Sequence, residues 1–278
     1  MNTSILLVFI LTSLAVCNGI FFGFFSRKWN GLKVTCGLNP FNSYTFDSLP
    51  RTVDAAINDG FVKISDCGAK FRGNRYIKDG DHAVVLLYDT QGFIAGIQTG
   101  IPEGQSDGYP FPGIKSPFVK ENGFHYITAY FVDPRIICTT GRTYRQFRDQ
   151  GTGTDLYIQN GTNPETDSFK VPKLQTELQG TKWTEGKCFP SMGRHYWYDL
   201  SANSDCQKQY PVFLMYNDGR LNSFGWAFTT SLTSQRYEHP TPSYFGTFMK
   251  QVPRCLYNMG TMSTMHIYLT STPRMNLC

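Results

Sequence analysis

The apolar positions of this chain fall in short runs of strand length rather than in long stripes of helical period. Residues 84–97 read VVLLYDTQGFIAGI: an apolar run ending in Tyr88, a turn containing Asp89 and Gly92, and a second run broken by Gly96. Residues 212–226 have the same design, with Tyr216, then Asn217-Asp218-Gly219, then a run broken by Gly225. Turn residues of this kind between apolar runs predict two β-hairpins. Residues 125–132 and 264–270 are rich in aromatic and β-branched side chains and predict one further strand after each hairpin.

The flanks of the two hairpins also correspond. Pro50, Cys67, Gly73 and Tyr76 precede the first; Pro172, Cys188, Gly193 and Tyr196 precede the second. Downstream, Tyr130 leads to Pro134-Arg135 and Cys138, and Tyr268 leads to Pro273-Arg274 and Cys278. The shared order predicts an internal duplication. A helix is expected at the head of each copy. In the first, Ser48 is the N-cap, Pro50 lies in the first turn, Val53, Ala56 and Ile57 form the apolar face, and Asp59-Gly60 ends it. The second runs from Pro172 through Leu174 and Leu178 to Gly180. Residues 242–252 predict one more short helix.

The expected fold class is therefore α+β, made of internally duplicated helix plus antiparallel β-sheet units. The expected divisions are a signal peptide over 1–19, a first half over 20–141, a polar linker loop over 142–166 and a second half over 167–278. The Gly-Thr-Gly-Thr stretch 151–154 has no apolar strand before it, so it reads as flexible linker rather than as a phosphate loop.

Composition sharpens this picture. Of 278 residues, 41% are hydrophobic, 15% aromatic and only 17% charged, which argues against a coiled coil or long-helix bundle and for strands. The net charge is +5 with no basic run longer than two, so no electrostatic footprint for nucleic acid is expected. Residues 5–16 carry no charge and are followed by Cys17-Asn18-Gly19, which fits a cleaved signal. Read together with the apolar residues up to Phe25, the same stretch is just long enough to span a bilayer. Arg27 and Lys28 would then hold the remainder in the cytosol. The cysteines favour the signal, and with it a secreted, extracellular protein that has no membrane attachment after cleavage.

Eight cysteines occur, at 17, 36, 67, 138, 188, 206, 255 and 278, with no CxxC. A zinc ribbon is not expected, and structural disulfides are. The matched positions suggest Cys67 with Cys138 and Cys188 with Cys278; Cys206 with Cys255 adds a third. Cys36 is left over, a route to a disulfide-linked dimer. Asn160-Gly161-Thr162 is a glycosylation sequon in a loop setting.

Classical catalytic motifs are absent: no GxSxG, HExxH, Walker sequence or EF-hand loop. The histidines are His82, His125, His195, His239 and His266. Aligning Gly73 with Gly193 sets Arg75 opposite His195, and aligning Tyr130 with Tyr268 sets Thr128 opposite His266. The second copy thus carries imidazoles that the first lacks. His195, His239 and His266 are candidate ligands for Zn or Cu, and candidate catalytic groups if the metal activates water, with Met192 and Met265 as further donors to copper. Tyr196, Tyr198 and Trp226 are candidate ligand-binding residues, able to line an apolar pocket for a small molecule or to form its core packing.

The segments CFPSMGRHYW, RYEHP and TMHIYL resemble secreted, uncharacterised proteins of invertebrate animals. The resemblance implies secretion and disulfides and implies no activity. Three functions follow as expectations: a secreted protein binding a small apolar or aromatic ligand, a secreted metal-dependent enzyme (oxidoreductase or hydrolase) using the histidines, or a structural or defensive extracellular protein.

Overall fold

The computed structural model describes residues 28–35, 45–114 and 117–278. The expected leader over 1–19, Cys17 and Cys36 lie outside the described residues. Among those described, no helix is long and apolar enough to cross a membrane.

Two antiparallel sheets make up most of the structure. In chain order the strands are β1 (Lys33–Val34), β2 (Asp47–Ser48), β3 (Phe61–Ser65), β4 (Asn74–Lys78), β5 (Asp81–Tyr88), β6 (Ile94–Pro102), β7 (Val119–Glu121), β8 (Phe124–Tyr130), β9 (Tyr157–Gln159) and β10 (Ser168–Lys170). They continue with β11 (Trp183–Phe189), β12 (Gly193–Tyr198), β13 (Val212–Asn217), β14 (Arg220–Phe228) and β15 (Ser263–Tyr268). One sheet has the order β10-β9-β8-β6-β5-β4-β3, with β7 also on β8; the other has β11-β12-β13-β14-β15-β1-β2.

Both predicted hairpins form. In the β13–β14 turn Asp218 and Gly219 both have positive φ (58° and 69°), the conformation that a two-residue turn between twisted strands requires. The β5–β6 turn is held instead by the Asp89 carboxylate, which accepts from the backbone N–H of Gln91 and of Phe93, each at 3.0 Å.

The two sheets pack face to face. Alternate residues of each strand face inward. Tyr76, Leu86, Tyr88 and Ile97 from one sheet meet Tyr196, Leu214, Tyr216, Phe224, Trp226 and Ile267 from the other in one buried cluster. The Phe131 and Phe224 rings meet there at 6.3 Å.

The helices are short and form no layer, so the fold is mostly antiparallel β rather than α+β. They are α1 (Val53–Asn58), α2 (Pro134–Ile137), α3 (Tyr144–Gln150) and α4 (Pro242–Phe248). The N-cap of α1 is Thr52, whose hydroxyl accepts from Ala55 N at 3.3 Å. Ser48, the expected cap, belongs to β2 instead. Ala56 is the one buried residue of α1, so little apolar area holds this helix. The second expected helix shrinks to a single 3₁₀ turn over Gln175–Leu178. Its start is tied down as Gln175 N donates to Gly219 O at 2.8 Å, and Gly180 ends it at φ +77°.

The stretch 142–166, expected to be a linker loop, is anchored structure. Arg142 is 1% exposed and bonds to Asp89 and to the carbonyls of Ile94 and Gly151. Thr143 and Gln146 then form a reciprocal capping box that starts α3, and β9 lies in the same stretch. The 151–154 segment is a packed joint rather than a flexible one. Thr152 is fully buried, its hydroxyl donating to Gly31 O at 2.6 Å. A Cβ on Gly153 would collide with the Phe131 carbonyl.

The two sheets share a strand pattern. Strands β3-β4-β5-β6-β8 form a five-strand meander, and so do β11-β12-β13-β14-β15. The hairpin β1–β2 precedes the first meander in sequence yet pairs onto β15 of the second. The hairpin β9–β10 precedes the second meander yet pairs onto β8 of the first. Tyr88 Oη donates to Pro50 O at 2.8 Å, and Tyr216 Oη donates to Pro172 O at 2.6 Å. Gly73 and Gly193 share φ values of 108° and 109°, each with its Cα packed where a side chain would meet Tyr88 or Tyr216 backbone.

Three disulfides staple the described chain: Cys67–Cys138 and Cys188–Cys278, the pairings that the matched cysteine positions suggested, and Cys206–Cys255, the third one expected. Asn160 is exposed just after β9.

Candidate functional site

The outer face of the second sheet carries the unusual chemistry. Register places Trp197, Phe213, Gly225 and His266 in one row across β12, β13, β14 and β15. His195, Met215, Ser223 and Tyr268 form the next row. His195 and His266 are thus on strands separated by two others. With about 4.8 Å between neighbouring strands, their backbones stand roughly 14 Å apart. Their ring centres are nevertheless only 5.9 Å apart. The two side chains therefore lean toward each other across the sheet.

Small residues permit this approach. Between the histidines, β14 presents Ser223 and Gly225. The space above Gly225 is taken by the Phe213 ring, and a Cβ there would lie 2.5 Å from the Met265 carbonyl oxygen. Phe213 is 5.7 Å from His195 and 5.0 Å from His266, ring centre to ring centre. Phe248, at the end of α4, closes over His195 at 5.7 Å. His195 is 1% exposed and His266 5%.

Each imidazole is oriented through Nδ1. His195 Nδ1 faces the Lys187 carbonyl at 3.3 Å, and His266 Nδ1 faces Glu238 Oε2 at 2.6 Å. A carbonyl and a carboxylate only accept, so each Nδ1 carries a proton, and in the neutral form of each ring Nε2 is left as the lone pair. Neither Nε2 has a hydrogen-bond partner, and both are buried. Burial, reinforced by His266, pushes the His195 pKa down to about 3.

The equivalent place on the first sheet is chemically closed. There Arg75, Leu87, Gly96 and Tyr130 form one row, and Val85, Gln98 and Thr128 lie in the next. Arg75 holds the position of His195, Gln98 that of Gly225 and Thr128 that of His266. Arg75 Nε donates to Gln98 Oε1 at 2.8 Å, and Gln98 Nε2 donates to Thr128 Oγ1 at 2.8 Å. Arg75 also pairs with Glu121. Where the first sheet runs a continuous hydrogen-bonded chain, the second has two imidazoles whose Nε2 atoms have no hydrogen-bond partner.

His239 does not join them. It is exposed, and its Nδ1 donates to the Met262 carbonyl at 3.0 Å. The reason is parity in an extended segment. Glu238 and Thr264 exchange backbone hydrogen bonds at 2.8 and 2.9 Å, which puts the Glu238 side chain on the side of Thr264 and His266. The next residue, His239, turns the other way. Among the described residues no group of three or more His, Cys, Asp or Glu side chains is arranged to hold a metal. The three-histidine cluster expected from sequence is therefore a two-histidine pair with Glu238 behind it. Glu238 escaped the sequence reading, although its alternation with His239 in RYEHP was the available signal.

The aromatic candidates fall elsewhere. Trp226 is fully buried and Tyr196 nearly so, both inside the core between the sheets, with Tyr196 edge-on to Tyr216 at 5.4 Å. Large apolar rings on inward positions fill that core instead of lining an apolar pocket. Tyr198 lines a cavity of about 500 Å³ whose other walls include Asp199, Asp205, Lys208 and Gln209, a polar setting unsuited to an apolar ligand.

The chain matches no protein-family model, no curated protein and no solved structure.

The burial of His195 has a measurable consequence in the metal-free protein. Its folded pKa lies far below the ordinary value near 6.5, so above pH 7 both folded and unfolded chains hold it neutral. As pH falls below about 6.5 the unfolded chain takes up a proton that the folded chain refuses, and stability drops by up to about 1.4 kcal/mol per pH unit. Partly buried His82 and His125 shift in the same direction. Urea melts between pH 7.5 and 5 are expected to lose stability steadily, and the His195→Gln variant is expected to flatten that slope. An equal slope in the variant would show that His195 is accessible to protons.

Proposed function

We propose that the protein is an extracellular, disulfide-locked metal-binding protein built as a doubled unit. One copy serves as scaffold, and the other holds a single transition-metal ion between His195 and His266. The observation that carries this reading is the pair of buried, unpartnered Nε2 atoms on rings fixed from behind. A buried lone pair without a partner costs free energy, and two of them on rings whose centres are 5.9 Å apart call for an electrophile. A metal–nitrogen bond of about 2 Å to each ring sets the two ring centres about 6 Å apart when they share one ion, close to the spacing found here. The Glu238–His266 contact is the carboxylate–histidine arrangement that orients metal-bound imidazoles and raises their basicity.

The doubling is supported by the common meander, the reciprocal placement of the two hairpins, and the equivalent tyrosine, glycine and disulfide positions. In this reading each copy lends its leading hairpin to the other copy's sheet. An extracellular setting is supported by the three disulfides, by the apolar leader with its small residues, and by the resemblance to secreted invertebrate proteins. The exposed Asn160 sequon then becomes available for glycosylation.

The test is metal analysis of the purified full chain, followed by calorimetric titration of metal-stripped protein with Zn(II) and copper ions. One ion per chain is expected, lost in His266→Gln and retained in His239→Gln. Failure of every ion to bind would overturn the reading.

A further inference from the structure

We propose that the ion is monovalent copper, Cu(I), bound in two-coordinate fashion by His195 Nε2 and His266 Nε2. This deepens the metal-site reading above and rests on it. Three features of the site select this ion.

The first is ligand number. The site offers two nitrogens, and no third His, Cys, Asp or Glu among the described residues completes a group with them. Glu238 is engaged with His266 Nδ1 and stands behind the ring. Zinc in protein sites takes four ligands, or three and a water, and calcium and magnesium want six or more oxygens. A closed-shell d¹⁰ Cu(I) ion is satisfied by two donors.

The second is charge. One carboxylate, Glu238, lies against the pair. A metal-bound imidazole is neutral, so a monovalent cation matches the single charge of Glu238, whereas a divalent one adds a further positive charge. Burying an uncompensated charge is expensive.

The third is the surroundings. Trp197, Phe213 and Phe248 wall the histidines, and Met192, Met215, Met249 and Met262 belong to the same buried cluster or flank it. Met215 is the cross-strand partner of His195. Polarizable aromatic and thioether groups with little exposed surface suit a soft, weakly hydrated ion better than a hard, strongly hydrated one.

The experiment uses the full, disulfide-bonded chain, stripped of metal and kept under nitrogen. A Cu(I)–acetonitrile salt is presented in competition with bicinchoninate, whose coloured copper complex reports what the protein withdraws. Zn(II) is presented in parallel against a chromogenic zinc chelator. The expected result is one Cu(I) withdrawn per chain, with Zn(II) left on its chelator. His195→Gln and His266→Gln abolish the withdrawal, Glu238→Gln weakens it by about 10–100-fold, and His239→Gln leaves it intact. Near-ultraviolet circular dichroism checks the folding of each variant. If a histidine variant does not fold, X-ray absorption of the wild-type copper form decides the matter: a shell of two nitrogens is expected, and a shell containing sulfur or four donors overturns the assignment. Binding of Zn(II) but not Cu(I) overturns this inference and leaves the metal-site reading standing. Binding of neither overturns both. Cu(I) bound equally well by folded His195→Gln and His266→Gln places the ion elsewhere and overturns the inference.

Discussion

Asp89→Ala is expected to destabilise the fold by about 3–5 kcal/mol, the loss typical when one member of a buried ion pair is removed. Asp89 and Arg142 are both about 1% exposed. The carboxylate accepts from two backbone N–H groups in its own turn, from Arg142 N at 3.1 Å and from Arg142 Nε at 3.4 Å. Without it the Arg142 guanidinium stays buried with only backbone carbonyls and the Phe147 ring for company, and the β5–β6 turn loses its internal acceptor. Asp89→Asn keeps an acceptor for the turn and loses the charge, so it should fall between wild type and Asp89→Ala. The corresponding residue of the second half is Asn217, whose side chain accepts from Cys278 N at 2.7 Å and faces no buried guanidinium. Urea denaturation measures these differences. A loss below 1 kcal/mol in Asp89→Ala would mean that Arg142 reaches solvent when its partner goes.

The paired substitution Cys188→Ser with Cys278→Ser is expected to cost about 4.6 kcal/mol, from the chain entropy that a bridge between residues 90 apart removes from the unfolded state. The native contacts around the bridge amplify its importance. Ser191 N donates to Asn276 O at 2.8 Å, and Cys278 N bonds to Asn217, so the last residues are laid against β11, β12 and the β13–β14 turn. The shorter Cys206–Cys255 closure, with a separation of 49, is expected to contribute slightly less by the same relation. A midpoint in urea that barely moves in the Cys188/Cys278 double variant would show that the hydrogen bonds hold this segment unaided.

Local signals explain which parts of the structure were legible in the sequence. The hairpins were, because their turn residues and apolar runs are adjacent in the chain. The pairs Cys67–Cys138 and Cys188–Cys278 were, because these cysteines sit in the same order relative to the two hairpins. The alignments of Arg75 with His195 and of Thr128 with His266 place residues that share register positions in their sheets.

What was not legible depends on contacts between distant segments. Strands β1, β2, β9 and β10 are two or three residues long, and they pair onto β15 and β8 rather than onto the strands that follow them in the chain. No local pattern marks such a pairing. Helix content was overestimated because Pro and a few apolar residues suit a helix start, while backbone bonds such as Gln175 N to Gly219 O hold the segment to a turn. The 142–166 stretch looked polar and loose because a buried arginine looks the same in sequence as an exposed one. His239 was grouped with His195 and His266 for its residue type, whereas a single step along an extended strand decides which side a side chain occupies. The Gln98-to-Gly225 difference, which lets the Phe213 ring lie beside both histidines, is invisible until register is known.

Nitrogen-15 NMR of the imidazoles tests the central claim most directly. In the metal-free protein, His195 and His266 are expected to show a protonated Nδ1 and a bare Nε2. One equivalent of metal should then shift both Nε2 signals together and leave His239 unchanged. A proton on Nε2 of either ring, or metal that moves His239 and not the pair, would contradict the account.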